Sequence, residues 1–176
     1  MENALKYNCK SIAWTYNEPT IHLPFNKKTS LLAKSKNLKV IYVSNGYMST
    51  NSLQEILTFV DAFNIDLKSM SEKFYKKVCG ADLDIVLDNL RNIYLAGKHL
   101  EVTNLIINDY NDSLEEIEQL CDFIVDELSV DVPLHFSRAF PYYKMRDIEP
   151  TNKEILFKAR EIAIKKGIKN VYLGNI

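Results

Sequence analysis

The chain has little of what marks many functional classes. It holds only five glycines in 176 residues, and none form GxGxxG or GxxxxGK[ST]. A dinucleotide-binding first turn and a phosphate loop both depend on such glycines, so neither is encoded. Its three cysteines, Cys9, Cys79 and Cys121, lie 70 and 42 positions apart, so no CxxC pair exists. Clustered thiolate metal sites need closer spacing. An odd, sparse set of thiols fits a reducing compartment, and a cytoplasmic location is expected. HExxH and GxSxG are missing too, which removes the usual zinc-protease and serine-hydrolase signatures.

Charge of one sign is also lacking. Twenty-two basic residues face 23 acidic ones, for a formal net charge of -1. Such a balance supplies no basic field for nucleic acid and no polybasic membrane patch. No run approaches the roughly 20 apolar residues that span a bilayer. The N-terminus shows no basic segment followed by an apolar targeting core. Residues 2–9 read as the tail of an amphipathic helix, with Ala4, Leu5 and Tyr7 available for packing. A chain that opens in a helix is expected to lack something upstream.

What is present is a repeating strand–helix rhythm in one domain covering 1–176. Strands are predicted at Ser11 to Tyr16, Val40 to Val43, Ala62 to Lys68, Leu100 to Ile107, Pro133 to Phe136 and Asn170 to Leu173. Helices alternate with them. Thr50 or Asn51, Ser71, Ser113 and Thr151 are the expected N-caps, and Ser113-Leu114-Glu115-Glu116 has the capping-box pattern. Gly80, Gly97 and Gly167 are expected helix stops. Unit lengths of roughly 25–35 residues are those of βαβ units, which build parallel sheets. Both an open doubly wound sheet and part of a (β/α) barrel fit that rhythm.

The polar residues favour the barrel. Barrel enzymes take ligand groups from the C-terminal ends of several strands. Nearly every strand here offers one: Asn17 and Glu18, Ser44 and Asn45, Asp66 and Lys68, Thr103, His135 and Arg138, then Asn175. Glu18 can accept from a ligand ammonium, and Pro19 restricts the backbone that carries it. A cap or a solvent-facing carboxylate explains Glu18 equally well. Asp66 and Lys68 share a strand face, so they can fix a polar ligand or neutralise each other. His135 and Arg138 could grip a carboxylate or ribose, or belong to a structural network. His22 and His99 read as structural. An aldolase or hydrolase built on Asp66, Lys68 and His135 remains an alternative, with Lys68 as a Schiff base if its pKa is depressed.

An ordered set of segments carries a family resemblance. These are Trp14-Thr15-Tyr16-Asn17-Glu18-Pro19, Val43-Ser44-Asn45-Gly46-Tyr47-Met48, Asn64-Ile65-Asp66-Leu67-Lys68-Ser69, Phe74-Tyr75-Lys76-Lys77-Val78-Cys79-Gly80 and His135-Phe136-Ser137-Arg138. Tyr143-Lys144-Met145 and Val171-Tyr172-Leu173-Gly174-Asn175 also fit. Together they resemble radical S-adenosylmethionine proteins of the pyruvate formate-lyase activating enzyme-like branch found in the AmmeMemoRadiSam system. The resemblance implies a partial barrel of about six parallel strands, with the family's first strand missing. It implies S-adenosylmethionine as cofactor, with Glu18 in place of the Gly-Gly-Glu-like grip on its amino group. Asn17, Ser44, Asn45, Asp66, Lys68, His135 and Arg138 are implied around the same ligand.

The family's CxxxCxxC motif, which holds a [4Fe-4S] cluster, has no counterpart in this sequence. The resemblance therefore implies a truncated relative of glycyl-radical-enzyme activases that does not cleave the cofactor alone. The other implied role is a non-catalytic S-adenosylmethionine-binding or assembly module. An uncovered first sheet edge would attract a second copy or another protein.

Overall fold

The computed structural model describes all 176 residues. The strands are β1 (Ser11–Trp14), β2 (Lys39–Ser44), β3 (Ala62–Asp66), β4 (His99–Ile106), β5 (Leu134–Arg138) and β6 (Val171–Gly174). The helices are α1 (Glu2–Lys6), α2 (Leu23–Lys34), α3 (Thr50–Leu57), α4 (Glu72–Phe74), α5 (Leu83–Leu95), α6 (Leu114–Phe123) and α7 (Lys153–Lys165). A 3-10 turn, Pro19–His22, leads into α2, and π-helical turns extend α4 through Cys79 and α6 through Leu128.

The strands form one sheet in the order β1-β2-β3-β4-β5-β6. This order decides between the two sequence-level architectures. A doubly wound sheet reverses direction partway, sending helices to both faces. Here each strand is added beside its predecessor without reversal, as in a (β/α) barrel. The fold is α/β, with a six-stranded parallel sheet consistent with a partial barrel.

Two compact units make up the chain. The first comprises Met1–Ile65 and Ile85–Leu100. In it β1, β2 and β3 pair in parallel, with Trp14 beside Tyr42 and Ser44 beside Ile65. Val40, Tyr42, Phe63 and Ile65 are buried, while the intervening Ile41, Val43, Ala62 and Asn64 are half-buried. Trp14 joins β1 to α2: its indole N–H donates to Ser30 Oγ at 2.9 Å, and its ring meets Phe25 edge-on at 6.0 Å. Gly46 ends this region with φ +73°, and a Cβ there would lie 2.7 Å from Ile65 Cγ2. Backbone conformation and space together demand glycine.

The second unit comprises Asp66–Asp84 and Glu101–Ile176. Its strands β4, β5 and β6 also pair in parallel, with Thr103, His135 and Tyr172 in register. Again one face is closed and one half-open. Val102, Asn104, Ile106, Leu134 and Phe136 are buried, whereas Glu101, Thr103, His135 and Ser137 are only half-buried. Helix α7 packs on β5 and β6. The period-two alternation thus separates a helix-covered apolar face from a more polar open face.

Several local expectations shift by a residue. Ser49, not Thr50 or Asn51, caps α3, and Asn152, not Thr151, caps α7. Thr151 is instead fully buried. Its hydroxyl donates to the Ile106 carbonyl at 2.5 Å and accepts from the Ala139 N–H at 3.1 Å. Ser71 and Ser113 cap as expected. The Glu116 half of the capping box goes elsewhere: its carboxylate accepts from Ser69 Oγ and from the Met70 N–H.

Candidate functional site

Within the first unit, the exits of β1 and β2 converge on the Glu18 carboxylate. Oε1 accepts from the Thr20 N–H (3.1 Å), Thr20 Oγ1 (2.6 Å) and Ser44 Oγ (2.8 Å). Oε2 accepts from the Asn45 N–H at 2.9 Å. Of the two sequence-level alternatives for Glu18, ligand grip and structural cap, the structure shows the cap. Glu18 caps the 3-10 turn and ties two strand exits together. Oε1 is saturated, and Oε2 has one lone-pair direction left.

Asn45 is held in turn, because its Oδ1 accepts from the Tyr47 N–H at 2.8 Å. Buried Asn89 donates to the carbonyls of Gly46 and Met48 at 2.9 and 2.8 Å, fixing the rest of that loop. Asn17 is exposed, and Tyr16 before it adopts φ +73° with its side chain fully in solvent. Glycine takes that conformation most easily.

In the second unit, Lys68 Nζ bonds Asp66 Oδ2 at 2.8 Å, with both side chains about one-third exposed. Mutual neutralisation is one of the two alternatives that the sequence offers for this pair. Nothing in the sequence hints at what holds the loop after β3. The Lys68 N–H donates to Tyr75 Oη at 3.1 Å, and burial pushes the Tyr75 hydroxyl pKa up. Asn104 donates to the Leu67 carbonyl at 2.8 Å, and Asn111 to that of Lys68 at 2.6 Å. Both asparagines are only 3% exposed. An asparagine on the apolar face of a strand is the one signal that could have flagged Asn104, since burial there requires partners.

His135 Nε2 lies 2.7 Å from Glu101 Oε2, and its ring stacks on Tyr172 at 5.0 Å. Glu101 was missed, although it shares an alternation phase with Thr103. Arg138 donates from Nε to the Thr151 carbonyl at 2.6 Å, and its guanidinium lies 4.8 Å from the Phe140 ring centroid. Asn175 donates to the Arg138 carbonyl at 3.3 Å.

A family model described as the radical SAM superfamily matches residues 1–124. The chain belongs to that superfamily. It is 42% identical over all 176 residues to the uncharacterized protein MJ0808 of Methanocaldococcus jannaschii, covering 52% of that protein. It is 26% identical over 111 residues to the (2S)-3-sulfopropanediol dehydratase activating enzyme of Klebsiella oxytoca, covering 63% of this chain and 35% of the enzyme. The chain thus spans about half or less of these two relatives. A crystal structure of a domain of pyruvate-formate lyase-activating enzyme from Bacteroides vulgatus superposes with TM-score 0.80 at 16% identity, covering 94% of this chain and 99% of that one. The kinship with glycyl-radical-enzyme activating enzymes expected from the strand-end segments is met at this level.

Radical SAM proteins normally combine S-adenosylmethionine with a [4Fe-4S] cluster, whose ligation needs several thiolates meeting at one point. The cysteines of this chain do not fit that group. Cys9 is exposed, Cys79 half-buried and Cys121 buried. No three histidine, cysteine or acidic side chains gather as a metal site. Burial pushes the Cys121 thiol up to about 12, so at pH 8 it stays in its unreactive protonated form. Burial also raises Cys79, with Lys68 opposing. Alkylation of the native protein with iodoacetamide at pH 8 should modify exposed Cys9 first and leave Cys121 unmodified until denaturant is added. Peptide mass spectrometry reads the order, and early labelling of Cys121 would contradict it.

No helix is long and apolar enough to cross a membrane.

Proposed function

We propose that these 176 residues form an S-adenosylmethionine-binding β/α module related to glycyl-radical-enzyme activases, of the branch found in the AmmeMemoRadiSam system, that does not cleave the cofactor by itself. One observation carries the reading: Glu18 is locked at the β1 exit with one acceptor direction left on Oε2. That direction suits a ligand ammonium. Ser44 and Asn45 bond Glu18 directly, and Asn17 precedes it in the chain. Bound beside a reduced cluster, S-adenosylmethionine supplies a deoxyadenosyl radical in this family. The ligands for that cluster are not among these residues.

A second reading, a protein-assembly module, is favoured by β1. It is an edge strand, with Ala13 exposed along it and Thr15 exposed just past its end. A second copy or a partner strand could pair with this edge. A cytoplasmic setting belongs to both readings.

Calorimetric titration with S-adenosylmethionine separates them. Saturable one-to-one binding supports the first reading. Lack of binding, together with a stable oligomer in sedimentation, supports the second. Anaerobic reconstitution with iron, sulfide and dithionite should yield no 5′-deoxyadenosine. Turnover by the purified 176 residues would overturn the statement that they do not cleave the cofactor alone.

A further inference from the structure

The open face of β4–β6 holds a histidine–carboxylate pair away from the C-terminal strand ends. His135 is the second residue of β5, and Glu101 the third of β4. Their side chains are 27% and 30% exposed, so a ligand on this face reaches them. The Nε2 to Oε2 distance of 2.7 Å is that of a charge-assisted hydrogen bond. Tyr172, in register on β6, stacks on the imidazole with an interplanar angle of 24° and fixes its orientation. Thr103 and Ser137 share the half-buried phase of this alternation. Glu101 and Tyr172 are the titratable side chains in contact with the ring.

A carboxylate can only accept from neutral imidazole, so Glu101 selects the Nε2–H tautomer. That leaves the Nδ1 lone pair for another partner, and no hydrogen bond within the chain uses it.

We propose that His135 and Glu101 form a proton-accepting dyad, taking a proton from an N–H or O–H group of a ligand lying across β4–β6. His135 is the accepting group, and Glu101 is its positioning residue. The proton leaves the ligand heteroatom with its bonding electrons staying behind, and it forms a new bond to Nδ1. The ring becomes imidazolium while Nε2–H remains on Glu101. The dyad charge goes from -1 to 0, and the ligand gains one negative charge. The inference stands on these strands alone and does not require S-adenosylmethionine to bind.

The test uses the whole chain labelled with 15N-histidine. Long-range 15N–1H correlation at pH 8, with His135→Gln for assignment, should show His135 with its proton on Nε2 and Nδ1 bare. Glu101→Gln should reduce that tautomer's share. Diethyl pyrocarbonate attacks only a bare imidazole nitrogen, which takes up an ethoxycarbonyl group as ethanol and carbon dioxide are released. His135 should react about threefold to tenfold faster in the wild type than in Glu101→Gln, with His22 as internal reference. A wild-type His135 protonated on Nδ1, or inert to the reagent, overturns the dyad without recourse to any variant. In a Glu101→Gln protein with unchanged circular dichroism, an unaltered tautomer and rate would also overturn it.

Discussion

Replacing Asn111 with leucine should lower the free energy of unfolding by about 3 kcal/mol or more, the range for stranding several buried polar groups. Asn111 serves three backbone groups from a site 3% exposed. Its amide nitrogen donates to the carbonyls of Lys68 at 2.6 Å and Leu105 at 2.9 Å. Its Oδ1 accepts from the Ile107 N–H at 2.6 Å. Leucine has the same branching at Cγ but offers no polar atom. The Ile107 N–H would lose its side-chain partner, and the Lys68 carbonyl would keep only Asn104 at 3.2 Å. Urea unfolding followed by circular dichroism reads the change as a fall in midpoint at constant slope. Asn17→Leu, at an exposed site, is the control and should shift the midpoint little. A loss under 1 kcal/mol for Asn111→Leu would show that the β3 exit is held by something other than this side chain.

Glu18→Gln should produce two separable losses. An amide keeps one oxygen as acceptor but replaces the other with a donor. One side of the clamp to Thr20, Ser44 and Asn45 must then face an N–H group. Hydrogen bonds to a charged acceptor contribute about 1.5–3 kcal/mol each, so a stability loss of about 2 kcal/mol is expected. If Oε2 also receives the cofactor ammonium, affinity for S-adenosylmethionine should fall at least tenfold. Thr20→Val distinguishes the two roles. It removes the 2.6 Å hydroxyl bond to Oε1 and leaves the Oε2 side intact. It should therefore cost stability with little change in affinity. Equal affinity losses in the two variants would mean that Glu18 acts only by shaping the loop.

The two asparagines illustrate why the sequence pointed to some parts of the site and not others. Asp66 and Lys68 are two residues apart, so their pairing is a local matter even though β3 itself ends at Asp66. Asn104 and Asn111 bond backbone carbonyls 36 to 43 residues away, and no local pattern carries such a pairing. Glu116 sits in a capping-box spacing that argues for a bond to its own helix start. The loop after β3 instead presents Ser69 and Met70 to the same carboxylate. His135 drew attention as a residue type, but its relation to Glu101 depends on how β4 and β5 align. Glu18 was visible as a strand-end carboxylate. Its engagement with Ser44 and Asn45, 26 and 27 positions on, was not.

The sequence alone determined the alternation of strands and helices, several glycine stops and the lack of a clustered thiolate motif. These are properties of neighbouring residues: period, turn chemistry and spacing act over a few positions. Tertiary structure decided the strand order, which separates a barrel-like sheet from a doubly wound one. It also decided that Glu18 is a clamp as well as a candidate grip, and that His135 faces Glu101. Those outcomes depend on which distant backbone groups are brought within about 3 Å, the range in which a hydrogen bond forms. Chain packing sets that distance, and no short stretch of residues encodes it.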